Sequence, residues 1–367
     1  MNDKYLVIVP TYNEKDNISD LIEAILEQSD KIDILVVDDN SPDQTAVLVE
    51  KLPRFNERIF LLKRKEKLGL GTAYLAGFGW SLEKNYDYSI SMDADFSHPP
   101  TALCQMLNLS DKNKNNIILG SRYIPGGKII GWKFNRYLNS YLANFVTRLM
   151  LGLPAHDATA GFKCYPRIFI QSLDFNSMLA HGYAFQVEML CLAKQNNFSV
   201  TEFPITFHDR LVGESKISGE LVKSAKIVWQ LFLRQTWPKQ FLKFCLVGLF
   251  CALIDIGVFY LAKLALHADS QSLKQISKAI SFLVSASASY YLNRTWTFAS
   301  QEKAILSQAT KFLIVSSVGL ALNNLFFFIL TGILKLSDIL GLILAIGIVM
   351  FWNFFGNKLW VFKNVVK

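Results

Sequence analysis

The chain has 367 residues, 51% of them hydrophobic, with 38 Lys and Arg against 30 Asp and Glu and a net charge of +8. Of those charges, 12 basic and 4 acidic residues lie from Trp237 to the C-terminus, leaving 26 of each sign before it. A balanced N-terminal part followed by a basic, apolar tail argues for membrane topology and excludes nucleic acid as the reason for the positive charge. The length is enough for a full catalytic domain and something more. Five cysteines form no C-x-x-C pair, as expected of free thiols in a reducing compartment. Met1-Asn2-Asp3-Lys4 leads straight into an apolar run, so no signal peptide is expected.

Tyr5 to Val9 is a continuous apolar run ended by Pro10, which predicts a buried strand. After the polar turn Thr11-Tyr12-Asn13-Glu14, Ile18, Leu21, Ile22 and Ile25 carry helical spacing. Ile32 to Val37 is a second buried strand and empties into Asp38-Asp39-Asn40-Ser41-Pro42-Asp43. Ile59 to Leu62 is a third, followed by Lys63 to Lys67, the turn Gly69-Leu70-Gly71-Thr72 and a helix through Trp80. This alternation predicts an α/β sheet with crossover helices, in which ligands sit beyond the carboxyl ends of the strands. The Gly69-x-Gly71 turn lacks the Lys-Ser/Thr of a P-loop and the third glycine of a dinucleotide fingerprint. It reads equally well as a tight turn near a nucleotide and as a purely structural one.

A fourth strand starting at Tyr88 runs into Asp93-Ala94-Asp95, and Pro99 and Pro100 stop it from continuing. Residues i and i+2 of a strand share a side, so both carboxylates can face one ligand. Such a pair suits Mg²⁺ or Mn²⁺ held together with substrate phosphates; the plainer reading is a turn in which Asp95 caps a helix. His98, beside the prolines, reads as a loop residue.

From Lys216 to Gln240 apolar residues recur near helical spacing among Lys223, Lys226, Arg234 and Lys239, the pattern of an interfacial helix on an anionic membrane. Four hydrophobic spans follow, near residues 241–264, 275–292, 312–334 and 339–355, each close to membrane-crossing length. The basic residues flanking them place both termini in the cytosol. The tail also repeats itself: Asn293-Arg-x-Trp296-x-Phe298 recurs as Asn357-Lys-x-Trp360-x-Phe362, which predicts two copies of a two-helix unit with Trp-x-Phe as interfacial anchors. Asp255 and Asn323 would then sit at mid-bilayer depth, either functional or bonded between helices.

Pro10-Thr-Tyr-Asn-Glu14, Asp38-Asp-Asn-Ser-Pro-Asp43, Met92-Asp-Ala-Asp95, Gly120-Ser-Arg-Tyr123, Asp157-Ala-Thr-Ala-Gly-Phe162 and Asp209-Arg-x-x-Gly-Glu-Ser-Lys216 stand in a telling order. In that order they resemble family 2 glycosyltransferases of the GT-A fold, most closely polyprenol (dolichol) phosphate mannosyltransferases. The tail resembles the GtrA-like membrane domain. Gln44, Ser97 and Ala160 depart from the family's usual Gly, Gln and Ser, without removing a charged group.

The resemblance implies a GT-A domain over 1–215, an interfacial helix over 216–240 and a four-helix transmembrane domain over 241–367. It implies an inverting, metal-dependent enzyme that moves mannose from GDP-mannose to a polyprenyl phosphate at the cytosolic face of the bilayer. The alternatives are glucose from UDP-glucose, or a non-catalytic scaffold or transporter for lipid-linked sugars. Carried over by position, Pro10, Tyr12, Glu14 and Asp39 would line the nucleotide pocket, and Asp93 and Asp95 would hold Mg²⁺ or Mn²⁺. Arg122, Arg136 and Ser140 would receive the lipid phosphate, while Arg210 and Lys216 would neutralise the donor's phosphates. Asp157 is a spare carboxylate, open to a role as base or as loop organiser.

Overall fold

Apolar runs too long and too uniformly hydrophobic to face water form the centre of the N-terminal sheet. In the computed structural model, which describes residues 3–179, 182, 184–209, 220–267 and 270–363, the chain divides into two compact units, 1–234 and 235–367. The first holds strands β1 (Tyr5–Thr11), β2 (Ile32–Asp38), β3 (Ile59–Lys63), β4 (Tyr88–Ser91), β5 (Ile117–Ser121), β7 (Lys163–Pro166) and β8 (Val200–Pro204) in the order β3-β2-β1-β4-β7-β5-β8. All neighbours are parallel except β7, which runs antiparallel to both β4 and β5. A separate ribbon pairs β6 (Lys128–Ile130) with β9 (Thr206–His208).

Helices cover both sides of the sheet. Alternate residues of β1 explain why: Tyr5, Val7 and Val9 pack with Leu21 and Ile25 of α1 (Lys15–Leu26) and Met106 of α4 (Leu103–Lys112). Leu6 and Ile8 pack on the opposite face with Tyr74 and Phe78 of α3 (Leu70–Glu83) and Phe185 of α7 (Phe185–Gln195). Each of these fully buried aliphatic side chains contributes about 1.5–3 kcal/mol. Short α2 (Thr45–Glu50) and α6 (Arg167–Gln171) complete the crossovers. The unit also contains α5 (Phe134–Leu151) and α8 (Glu220–Arg234). Leu231 of α8 is buried in a cluster with Leu151 and Leu190, whereas Trp229 and Leu233 are exposed.

The second unit is α-helical: α9 (Thr236–Ala265), α10 (Gln271–Leu292), α11 (Ile305–Phe328) and α12 (Asp338–Gly356). Among the described residues three stretches, Trp237–Ala265, Ile305–Ile333 and Asp338–Val361, are long and apolar enough to cross a membrane. Residues of α10 are more polar. Lys274 and Lys278 and a row of serines lower its hydropathy, and Ser277 and Ser281 are fully buried. Asp255 of α9 accepts from Lys278 Nζ (2.6 Å) and Ser281 Oγ (2.7 Å), tying the two helices together.

The repeated signatures meet inside this unit. Asn293–Thr297 and Asn357–Val361 are both π-helical turns, closed by Phe298 N–H to the Asn293 carbonyl (2.9 Å) and Phe362 N–H to the Asn357 carbonyl (2.7 Å). Each Trp-x-Phe divides its labour. Trp296 and Trp360 are exposed, while Phe298 and Phe362 are buried and stack at 4.9 Å. The tryptophans are the outward halves.

Candidate active site

The carboxyl ends of β1, β2 and β4 bring three polar turns to one edge of the sheet. At the first two, Thr11 Oγ1 donates to Asp38 Oδ1 (2.8 Å), and Ser41 donates to Asp38 through its backbone N–H (2.9 Å) and Oγ (2.6 Å). Asp38 thus organises the turn, and buried Asp39 beside it pairs with Arg64 Nε at 2.5 Å. Arg64 also donates through Nη1 to Thr72 Oγ1 (2.8 Å), clamping the Asp39 turn to the Gly69 turn. Sequence reasoning did not single out Arg64, because it is one of four cations between Lys63 and Lys67 and nothing local marks the buried one. Tyr12 lies under Lys67 Nζ, 4.0 Å from the ring centre. Half-buried Pro10 precedes it in β1, and Glu14 Oε2 accepts from Asn17 Nδ2 (3.0 Å) at the start of α1.

The acidic pair stands in a turn, not on the strand. β4 ends at Ser91, so the alternation expected of a strand does not orient Asp93 and Asp95. The turn is shaped by Phe96 at φ 59°, a left-handed conformation that costs an aromatic residue energy and is found where function constrains the backbone. Asp93 Oδ1 accepts from the hydroxyl of buried Tyr74 (3.2 Å), and Asp95 Oδ1 accepts from Ser97 N–H (3.1 Å). Burial, then Asp93, drives the Tyr74 hydroxyl well above its ordinary pKa, so it stays a donor.

His98 is a buried brace behind this pair. Its Nδ1 accepts from Asp93 N–H (3.1 Å), which puts its proton on Nε2, 3.9 Å from Asp93 Oδ2. Burial lowers its pKa against the pull of Asp93 and Asp95, so the ring is neutral. It stacks on Phe162 at 5.3 Å. Gly161 closes the back of the turn: a Cβ there would lie 3.1 Å from His98 Cε1 and 3.4 Å from Asp93 Oδ2.

Across the site, Arg122 at the end of β5 forks onto Asp157, with Nε to Oδ2 and Nη2 to Oδ1 both at 2.7 Å. Its backbone N–H reaches the same carboxylate (3.0 Å), and Nη2 also meets Thr159 Oγ1 (2.8 Å). Burial alone would raise the pKa of Asp157, but Arg122 outweighs it and holds the carboxyl below its usual value. A fully buried, ionised and bidentately paired carboxylate is placed to hold an arginine, not to accept a proton. The Asp157 loop is pinned further by Glu202, which accepts from Asp157 N–H (3.1 Å), and by Asn144, which accepts from Ala158 N–H (2.9 Å).

Lys163 anchors the same loop from inside the sheet. Although it has no exposed surface, it donates to Gln186 Oε1 (2.8 Å) and to the Ala160 carbonyl. Burial pushes its pKa down to about 7, against the attraction of Asp157.

Arg136, in the first turn of α5, donates through Nη1 to both oxygens of Asp209 (2.9 Å each) and stacks over Trp132 at 4.4 Å. Ser140, one turn on, accepts from the Tyr123 hydroxyl (2.8 Å). Phe207 joins the two halves of the site. Its ring lies 5.2 Å from the Arg122 guanidinium and contacts the rings of both His98 (5.9 Å) and Trp132 (5.6 Å). Arg210 and Lys216 lie outside the described residues.

Next to the arginines, α5 exposes Phe134, Tyr137, Leu138, Tyr141, Leu142, Phe145, Val146 and Leu149. This apolar surface was not recognised in the sequence, although the i, i+3, i+4 spacing of those residues was there to find.

An α/β sheet with one antiparallel strand and polar turns carrying buried carboxylates beyond the carboxyl ends of its strands is the GT-A arrangement. The chain belongs to glycosyl transferase family 2, whose model matches residues 6–173, and it is a glycosyltransferase. A second model, the GtrA/DPMS transmembrane domain, matches residues 243–362, which makes this a membrane protein. Polyprenol monophosphomannose synthase of Mycolicibacterium smegmatis is 41% identical over 221 residues, 60% of this chain and 83% of that protein. Undecaprenyl-phosphate mannosyltransferase of Micrococcus luteus is 37% identical over 224 residues, 61% of this chain and 91% of that protein. Among solved structures, glucosyl-3-phosphoglycerate synthase from Mycobacterium tuberculosis with Mn²⁺, UDP and product superposes with a TM-score of 0.48 at 16% identity, over 63% of this chain and 80% of that one.

Proposed function

We propose that this protein transfers mannose from GDP-mannose to a polyprenyl phosphate at the cytosolic face of the membrane, with inversion at the anomeric carbon. The observation that carries this reading is the combination, in one chain, of a catalytic domain similar to two polyprenyl-phosphate mannosyltransferases with two arginines, Arg122 and Arg136, each held by a carboxylate. The acceptor is a phosphate monoester, mostly ionised near neutral pH. It needs positioning and charge compensation more than a base, consistent with Asp157 being committed to Arg122.

In this reading Pro10, Tyr12, Glu14 and Asp39 line the nucleotide pocket, and Arg64 fixes Asp39. Arg136, with Ser140 beside it, grips the lipid phosphate in place of Asp209. Arg122, held flat by Asp157, presents its remaining N–H donors to the transition state, and Arg210 and Lys216 meet the leaving diphosphate. The attacking phosphate oxygen forms a bond to the anomeric carbon while the bond from that carbon to the diphosphate oxygen breaks.

Asp93 and Asp95 would hold a divalent cation. The donor set fits Mg²⁺ or Mn²⁺: two hard carboxylates, and no cluster of three or more His, Cys, Asp or Glu among the described residues, so the remaining ligands would come from the substrate's phosphates. Such an ion would neutralise charge building on the leaving diphosphate. The exposed face of α5 would rest in the headgroup region, bringing Arg136 to the level of the lipid phosphate.

The test is transfer by the purified full-length protein from labelled GDP-mannose or UDP-glucose to a polyprenyl phosphate, with Mg²⁺, Mn²⁺ or EDTA. Metal-dependent mannolipid formation from GDP-mannose is expected. Faster glucose transfer, or turnover indifferent to EDTA, would overturn the donor or the metal respectively.

A further inference from the structure

The helical unit contains a cavity of about 460 Å³ lined by residues from α9, α10, α11 and α12 and the turn after α12. Most of the wall is apolar, Phe244 and Ile346 among it, but Ser316, Asn323, Asn353 and Asn357 also line it. Asn357 is 1% exposed, and its Nδ2 donates to the Asn353 carbonyl (2.7 Å), which identifies the other end of the amide as oxygen. That Oδ1 is buried with no donor, and so is Asn353 Oδ1. Buried amide oxygens normally find a partner within the protein or in ordered solvent; the Asn353 amide packs against Gly319, and Asn357 Oδ1, on a residue lining the cavity, can accept from a guest. No Lys, Arg or His lines the wall, so a phosphate or carboxylate would be buried there without a counter-charge.

We propose that this cavity binds the hydroxyl-bearing end of an uncharged amphiphile. One O–H group donates to Asn357 and a second, where the guest carries one, to Asn353, while its hydrocarbon packs against Phe244 and Ile346. The volume lies in the range of small-molecule sites. Two sources share this chemistry, a prenyl alcohol and a neutral alkyl glycoside. The two asparagines come from the second repeat, and the corresponding Asn293 of the first does not line the cavity. It is independent of the transferase reading, because every group named lies in the helical unit.

The experiment uses the full chain in phosphatidylcholine nanodiscs with two photoreactive probes, a diazirine farnesol and a diazirine octyl mannoside, and maps the cross-links by mass spectrometry. We expect one or both probes to label the segment from Ile346 to Asn357. Competition by unlabelled farnesol or octyl mannoside should remove the label, and farnesyl phosphate should not. Asn357→Leu should cut labelling about tenfold, the loss of one buried hydrogen bond, and Ile346→Trp, which fills the cavity, should abolish it. Thermal midpoints of both variants establish that they fold; if Asn357→Leu does not, Ile346→Trp decides alone. Labelling confined to other segments, labelling that survives Ile346→Trp, or competition by farnesyl phosphate equal to that by farnesol would overturn the proposal. Which probe labels identifies the source.

Discussion

Two buried sets of charged groups brace the Asp157 loop, and they respond differently to substitution. Arg122 and Asp157 neutralise each other, so removing one leaves the other charged and buried. Asp157→Asn should lower stability of the catalytic unit by about 3–5 kcal/mol, the cost of breaking a buried pair, seen as a fall in its urea midpoint. Among the described residues Lys163 has no carboxylate within ion-pair distance, and burial pushes its pKa down to about 7, well below its ordinary 10.5. Between those values the unfolded chain binds more protons than the folded one, so this lysine makes stability rise with pH from about 7 upward and adds no slope below it. Lys163→Met should flatten that rise, and urea midpoints at several pH values between 6 and 10 measure it.

At Asp95 the expectation is catalytic: Asp95→Asn should lower kcat by at least about a hundredfold with the thermal midpoint nearly unchanged. Arg136→Lys keeps the charge and loses the planar fork. It should raise the acceptor KM about tenfold while leaving the donor KM alone. A raised donor KM instead would move Arg136 to the nucleotide side.

Single elements show where the sequence could be read and where it could not. β1 and β2 were legible because both their faces are covered, and a strand buried on both sides is an unbroken apolar run. β7 was not. Lys163-Cys-Tyr-Pro166 carries a lysine and a proline, and only the surrounding sheet makes a buried strand of it. The acidic pair was legible as composition but not as geometry, because the backbone reversal at Phe96 is set by tertiary packing.

The face of α5 was hidden for another reason. Amphipathicity normally means a buried stripe, whereas here Phe145 is 51% and Leu149 72% exposed. If that face meets lipid, Phe145→Asp with Leu149→Asp should raise the KM for a long polyprenyl phosphate in vesicles. The KM for a short, detergent-dispersed analogue should stay unchanged. Equal effects on both acceptors would remove the bilayer from the explanation.

The chain as a whole joins a water-soluble type of architecture to an apolar one, and the two units have separate cores. A protein ending at Arg234 should therefore retain nucleotide affinity within about threefold of the full chain, within the usual scatter for an untouched site. It should transfer poorly to long polyprenyl phosphates in membranes. Loss of nucleotide binding on truncation, measured by calorimetry, would show that the catalytic unit depends on the helical one.

The antiparallel strand in the middle of the sheet has a consequence for how the protein is made. β4 pairs with β7 through Tyr88 to Pro166 and Ser91 to Lys163, partners more than 70 residues apart. While the chain emerges from the ribosome, β3, β2, β1 and β4 can assemble from the first ninety or so residues, but β4 then remains an open edge until β7 arrives. Such an edge is a template for pairing with other chains, and closing it requires a long loop to be ordered first. Nascent chains stalled before Lys163 should accordingly bind chaperones and aggregate on release. Chains stalled beyond Pro204, which also supply β8 to cover β5, should not, once their C-terminal residues have cleared the exit tunnel.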